Sequence, residues 1–107
     1  MKRINIIILL LCTASNIFSQ DFIPLWPPGK MPNSKGLKLE HKEERQRITQ
    51  VSQPGMYAFF TSKEENTGGA VLICPPGGYR KLAYNTAGFQ WAKWLNTLGI
   101  NAFVLIY

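Results

Sequence analysis

The sequence predicts an α/β fold, and three observations lead to that prediction. Two apolar runs, residues 70–74 and residues 100–107, the second interrupted only by Asn101, have the composition of strands buried on both faces of a parallel sheet. Between them, apolar residues recur at three- and four-residue spacing, which is typical of an amphipathic helix. Strand, helix and strand in this order form a βαβ unit, in which the two strands are expected to be parallel.

The N-terminus has the layout of a secretory signal peptide. Lys2 and Arg3 precede an apolar stretch at residues 4–12, and a polar segment follows with plausible cleavage near Ser19 or Gln20. The apolar stretch is about nine residues long, short of the roughly 20 that a membrane-spanning helix needs. We therefore expect a signal peptide at 1–20 and a secreted or periplasmic protein without a membrane span after cleavage. An uncleaved membrane anchor is the alternative.

Neither cysteine is expected to anchor the secreted protein or to form a disulfide within it. Lipoprotein anchoring at Cys12 would call for a small preceding residue, and Leu11 argues against it. Removal of the signal peptide leaves Cys74 as the last cysteine, so no internal disulfide is expected. Cys74 ends an apolar run, which favours a small buried hydrophobe over a nucleophile.

Charge argues against a nucleic-acid partner. The chain of 107 residues carries a formal net charge of +6 and has a pI near 9.6. Its basic residues are scattered and interleaved with glutamates, whereas a phosphate-binding surface is expected to carry a dense basic stripe. The composition, 46% hydrophobic and 17% charged, fits a globular domain rather than a disordered chain.

Before the βαβ unit the chain divides into two parts. Residues 21–45 are rich in proline and glycine and predict an extended lead-in segment, anchored by Leu25 and Trp26, with a solvated charged block at its end. Short strands are expected near residues 48–51 and 56–61, separated by the turn signal Pro54-Gly55 and paired antiparallel. A truncated α/β domain is therefore assigned to residues 46–107.

The helix between the two apolar runs is expected at residues 86–98. Asn85 or Thr86 can cap its start, and Gly99 stands where a left-handed C-terminal residue is favoured. Gly88, one turn in, is a local weakness. The residues expected to face the core are Ala87, Trp91, Trp94, Leu95 and Leu98.

The loop after the first apolar run, Pro-Pro-Gly-Gly-Tyr at residues 75–79, carries the candidate chemistry. Glycines leave backbone N–H groups unshielded, and converging N–H groups form an oxyanion hole for acyl transfer. Because proline has no N–H, the candidate donors are Gly77 and Gly78, with Tyr79 as a third.

Three other interpretations of this loop remain open. It can be a structural turn, or it can be a phosphate-binding loop, although it lacks the glycine patterns of known nucleotide-binding loops. The third is a carbohydrate-binding module with aromatic stacking platforms. Those platforms would be Trp26, Tyr79, Tyr84 and Trp91.

Residues 70–79 resemble the strand and oxyanion loop of bacterial α/β-hydrolase esterases related to acetylxylan and other carbohydrate esterases. That family typically has Cys-Pro-Gly-Gly-Gly-Tyr here, so Pro76 replaces the first glycine while Gly77, Gly78 and Tyr79 match. Residues 24–27 and 92–107 are also similar. The resemblance implies a serine carboxylic-ester hydrolase of the α/β-hydrolase fold, without a cofactor or metal, acting on acetyl esters of carbohydrate.

The family's nucleophile is a serine in G-x-S-x-G, followed by an acidic residue and a histidine. This motif is absent, and the single histidine, His41, precedes the loop. We therefore expect the chain to be the N-terminal part of a longer enzyme and inactive alone, with the nucleophile, acid and histidine beyond Tyr107. The alternative is a catalytically inactive hydrolase-like domain that binds carbohydrate.

Overall fold

A computed structural model describes residues 20–107; the predicted signal peptide and Cys12 lie outside the described residues, apart from Gln20. The strands are β1 (Asp21–Pro24), β2 (Lys42–Glu44), β3 (Arg47–Gln50), β4 (Gly55–Phe59), β5 (Ala70–Ile73) and β6 (Asn101–Ile106). A π-helical turn, Asn85–Phe89, leads directly into helix α1 (Gln90–Thr97). Over residues 20–107, neither helical segment is long and apolar enough to cross a lipid bilayer.

The main sheet contains four strands in the order β1–β4–β6–β5. β5 and β6 are parallel neighbours joined through α1, which is the βαβ arrangement that the sequence predicts. β4 pairs antiparallel with both β1 and β6, so the sheet is mixed. β6 is central, and its side chains alternate between buried Ala102, Val104 and Ile106 and half-buried neighbours.

The predicted pairing of residues 48–51 with residues 56–61 is wrong. β3 pairs instead with β2 in a separate two-stranded sheet, because Arg45 and Gln46 both adopt positive φ, 50° and 59°, and reverse the chain between them. Two successive left-handed residues form the tight turn that suits a two-residue hairpin. The partner of β4 is β1, so the lead-in segment contributes an edge strand to the main sheet.

The expectation that residues 70–74 are buried on both faces is also wrong within the described residues. β5 is an edge strand, and Val71 and Leu72 are 38% and 56% exposed. An edge strand has a neighbour on one side only, and α1 packs over β6 and β4. The apolar composition of β5 is therefore not matched by burial here.

The predicted core face of the helix is correct only in part: Leu95 packs against the buried cluster as predicted, but Leu98 and both tryptophans of the helix are exposed. Trp91, Trp94 and Leu98 are about half exposed, while Ala92 is fully buried and Gly88 is buried. A Cβ on Gly88 would lie 2.7 Å from Val104 Cγ1, so glycine permits the close approach of helix and sheet. Gly88 is thus a packing requirement rather than a weakness.

The two helix ends differ in how well they were predicted. Gly99 has φ of +73°, and its N–H donates to the carbonyl of Asn96. The N–H of Ile100 donates to the carbonyl of Leu95, which completes a Schellman motif and confirms the predicted end of the helix. At the start, no side chain caps the π-helical turn. Asn85, predicted as a cap, donates from Nδ2 to Gln46 Oε1 at 2.7 Å.

Two buried clusters hold these elements together. The first lies between α1 and the sheet and joins Phe59 and Ala92 to β6. The ring of Phe89 packs edge-on against Tyr57 and is tilted against Phe59. The second joins Ile48 of β3, Leu82 and Ile106. The second cluster fixes the β2–β3 hairpin against the chain that follows the glycine loop.

Candidate functional site

The glycine loop, residues 75–79, leaves the end of β5 and is held at both of its ends. Pro75 is buried, and its carbonyl accepts a 2.8 Å hydrogen bond from Tyr107 Oη at the end of β6. Beyond the loop, Leu82 and Ile48 exchange two backbone hydrogen bonds of 2.7 and 3.0 Å. The loop is therefore fixed between the carboxyl ends of two parallel strands and the β3 hairpin.

Both glycines are required by the backbone of the loop. A Cβ on Gly77 would lie 1.3 Å from the carbonyl oxygen of Lys81, a contact that only displacement of the backbone could relieve. Gly78 has φ of +59°, and the following Tyr79 has φ of +61°. The left-handed region is readily accessible to glycine and costs other residues energy.

The N–H groups of the loop are free of protein acceptors. Within residues 20–107, those of Gly77, Gly78 and Tyr79 make no hydrogen bond to backbone or side chain. The carbonyl of Gly77, by contrast, accepts from the N–H of Arg80 at 3.2 Å. Gly78 and Tyr79 are exposed and Gly77 is half-buried, so these N–H groups are open to water or to a ligand.

These three residues line a cleft of about 660 Å³, the loop cleft. Residues of β3, Thr49 and Gln50 among them, and Tyr107 also line the cleft. Arg80 and Lys81 also line the cleft, and no acidic residue does. The volume lies in the range of small-molecule binding sites.

The residues that could act as a nucleophile or base lie elsewhere. Cys74 is exposed, so its predicted role as a buried hydrophobe is wrong: it stands past the end of the edge strand, where Pro75 occupies the interior instead. His41 Nε2 lies 3.8 Å from Glu43 Oε2 and does not line the loop cleft. Among the described residues, the unpaired N–H groups of the loop thus line a cleft to which no serine, cysteine or histidine contributes.

The structure agrees with one of the three alternative interpretations of the loop and argues against the other two. The four candidate stacking aromatics, Trp26, Tyr79, Tyr84 and Trp91, line four separate clefts and form no common platform. The helical segment begins at Asn85, seven residues after Gly78, so the glycines do not open the helix as in a phosphate-binding loop. A purely structural turn is compatible with the hydrogen bonds at both ends of the loop.

Sequence reasoning missed the contacts that hold the hairpin beside the loop. Tyr84 Oη donates a short hydrogen bond to Glu43 Oε1, next to the Asn85–Gln46 contact. Burial, and then the hydrogen bond and charge of Glu43, raise the pKa of Tyr84 to about 12. Glu43 lies in the block interpreted as solvated, and nothing in the local sequence marks its distant partner.

Comparison with known protein families, with curated proteins and with solved structures gives no match to this chain.

Proposed function

We propose that these residues form the N-terminal part of a secreted serine esterase of the α/β-hydrolase fold, which hydrolyses acetyl esters on carbohydrate. One observation carries the proposal: the N–H groups of Gly77, Gly78 and Tyr79 are free of protein acceptors and belong to a fixed loop lining a cleft. The loop follows a strand of a βαβ unit and has the sequence that resembles the esterase family.

The proposed role of the loop is to stabilise the oxyanion. Attack on the ester carbonyl places negative charge on its oxygen, and backbone N–H donors of Gly77 and Gly78 offset that charge in the transition state. Tyr79 is a third candidate donor. Positions fixed by Tyr107 and Ile48 would keep these donors in place without reorganisation during the reaction.

The proposal assigns the nucleophile, acid and histidine to chain beyond Tyr107. In the resembled fold, the strand that carries the nucleophile pairs with the strand equivalent to β5, on the side away from β6. Among the described residues, that side of β5 is unpaired and its apolar side chains are exposed. This arrangement leaves room for the proposed strand.

The test is hydrolysis by the complete secreted gene product. We expect it to release acetate from acetylated xylan, and its sequence to hold G-x-S-x-G followed by a histidine. Replacement of that serine by alanine should abolish release, because the covalent step needs the nucleophile. Activity that survives the replacement would refute the proposal.

A carbohydrate-binding domain without catalysis is the second candidate. It is favoured by Tyr79, which is fully exposed at 108% of its reference area, beside a cleft to which no serine, cysteine or histidine of the described residues contributes. Binding of acetylated xylan with no acetate release, and no G-x-S-x-G in the complete protein, would select it.

A further inference from the structure

The charge of the loop cleft is one-sided. Arg80 and Lys81 line it, and the other lining residues are apolar, aromatic, glycine or uncharged polar. Both side chains are exposed, and neither forms an ion pair with any residue in the part of the chain described here. Two cations at the site are therefore uncompensated.

Acidic residues near the cleft do not neutralise these two cations: Glu40 follows the lining residue Leu39, but it neither lines the cleft nor forms an ion pair with Arg80 or Lys81. Glu65 is the last acidic residue of the sequence, so the loop, the helix and β6 contain none. On the hairpin side, Glu43 is engaged by Tyr84 and by His41, and Glu44 lies 3.6 Å from Arg45. The β3 residues that face the cleft, Ile48 to Gln50 among them, carry no acidic group.

The free N–H groups of the loop add to this positive potential. Three successive donors at Gly77, Gly78 and Tyr79 present partial positive charges within the cleft that Arg80 and Lys81 line. A cleft lined by one sign of charge concentrates ligands of the opposite sign. An anionic group several ångströms from the ester would be attracted without competing for the oxyanion donors themselves.

We infer that the loop cleft selects ester substrates that carry a fixed negative charge, such as acetylated uronate or sulfated sugars, over neutral ones. The inference rests on the proposed function for its carbohydrate ester, while the charge preference rests on Arg80 and Lys81. Arginine can bind a carboxylate or sulfate in bidentate geometry, and lysine contributes as a point charge.

Binding is measured on the complete protein by titration calorimetry, with three probes of equal length: trigalacturonate, sulfated xylotriose and xylotriose. The two anionic probes are expected to bind about tenfold more tightly than xylotriose, since two exposed ion pairs of about 0.7 kcal/mol each contribute about 1.4 kcal/mol together. The advantage should disappear at an ionic strength of about 1 M, where the screening length is about 3 Å. Tighter binding of only one anionic probe identifies which group the cleft accepts and also supports the inference.

The variant R80Q/K81Q tests the site, and K63Q/K93Q is its matched control. Lys63 and Lys93 are exposed and do not line the loop cleft, so the control removes the same net charge elsewhere. R80Q/K81Q should bind the anionic probes about tenfold more weakly, with xylotriose and the control variant unaffected.

Two results would overturn the inference: equal affinity for all three probes, or equal losses in the two variants, which would reduce the effect to net charge. Acetate release is measured separately on acetylated trigalacturonate. Tight, Arg80- and Lys81-dependent binding without acetate release would support the charged cleft and refute the esterase. Acetate release without a preference for the anionic probes would support the esterase and refute the charged cleft.

Discussion

Gly77 and Gly78 give the loop two separate properties. Gly77 allows the chain to fold back on Lys81, where any side chain would collide with the backbone. Gly78 has open space around its Cβ position but a left-handed backbone, so its constraint is conformational. A side-chain substitution at either glycine therefore changes the backbone conformation of the loop as well as its N–H donors. A test of the donors must keep the backbone conformation unchanged.

A backbone ester at Gly78 is such a test. Replacing the residue by glycolic acid removes the N–H and keeps the freedom to adopt φ of +59°, which Gly78→Pro would not. In the complete enzyme we expect kcat to fall by about 10²–10³-fold with KM nearly unchanged. The control is the same replacement at Gly29, which also has positive φ and lies outside the loop cleft. Unchanged kcat in the Gly78 ester would remove this donor from the mechanism.

Tyr84 provides a pH-dependent prediction. Its pKa in the folded protein, about 12, lies above the ordinary value of 10.0 because of burial and of Glu43. Because the folded state holds the Tyr84 proton more tightly than the unfolded state, this group contributes its full stabilisation below pH 10. That contribution is lost as the pH rises through 12. We therefore expect the free energy of unfolding to fall between pH 10 and pH 12 in the wild type and to fall less in Tyr84→Phe.

Difference titration of tyrosinate absorbance measures the same group directly. The step near pH 12 should vanish in Tyr84→Phe and persist in Tyr79→Phe, since the second variant leaves the contact between Tyr84 and Glu43 intact. A Tyr84 step near pH 10 would show that the contact with Glu43 is absent in solution.

At the scale of elements, helix α1 offers two stripes at helical spacing. The sequence predicted a core face of Ala87, Trp91, Trp94, Leu95 and Leu98, and the most hydrophobic stripe within it, Trp91, Trp94 and Leu98, is about half exposed. The sheet is covered instead by the stripe that contains Gly88 and Ala92, because small residues let the helix approach Val104 closely. Hydrophobicity alone could not decide between the stripes, since the choice depends on the shape of the opposing strand.

For strand pairing as well, features set by contiguous residues could be predicted from the sequence, whereas pairings between distant segments could not. The βαβ unit and the turn at Gly99 follow from the composition of contiguous residues, and both were predicted. The hairpin turn at Arg45-Gln46 has no glycine or asparagine, so its left-handed residues gave no signal. Pairing of β1 with β4 joins segments more than thirty residues apart and could not be inferred from either alone.

The choice of helix face can be tested at two adjacent positions. Ala92→Leu should lower the free energy of unfolding of the complete protein by about 1–3 kcal/mol, because the added side chain has no space against the sheet. Lys93→Leu introduces the same side chain at an exposed neighbour and should change it by less than about 0.5 kcal/mol. Urea denaturation measures both. Equal effects would contradict the observed face.

At the scale of the whole molecule, the described residues leave much apolar surface uncovered. β5 has an unpaired edge, and Leu72 on this strand is more than half exposed. The large hydrophobic residues that are at least half exposed among residues 20–107 are Leu37, Leu39, Phe60, Leu72, Tyr79, Trp91, Trp94 and Tyr107. Exposed strand edges and apolar patches of this kind favour association.

Residues 21–107 expressed alone are therefore expected to self-associate and not to melt cooperatively as a monomer. They should also show no hydrolysis of p-nitrophenyl acetate above the background rate, because oxyanion donors without a nucleophile and base assist water only weakly. Sedimentation velocity and near-ultraviolet circular dichroism of the tryptophans measure the first expectation. A monodisperse monomer with a cooperative melt would contradict it.

The proposed role of the glycine loop, stabilisation of the oxyanion formed by attack of a serine, can be tested by trapping that serine. The complete protein is treated with a fluorophosphonate, whose phosphoryl oxygen occupies the oxyanion position after attack by an activated serine, and the modified peptide is identified by mass spectrometry. We predict one modified serine, within G-x-S-x-G outside these 107 residues, and much slower modification in the Gly78 ester variant. Absence of modification, or modification at Ser34, Ser52 or Ser62, would contradict the account.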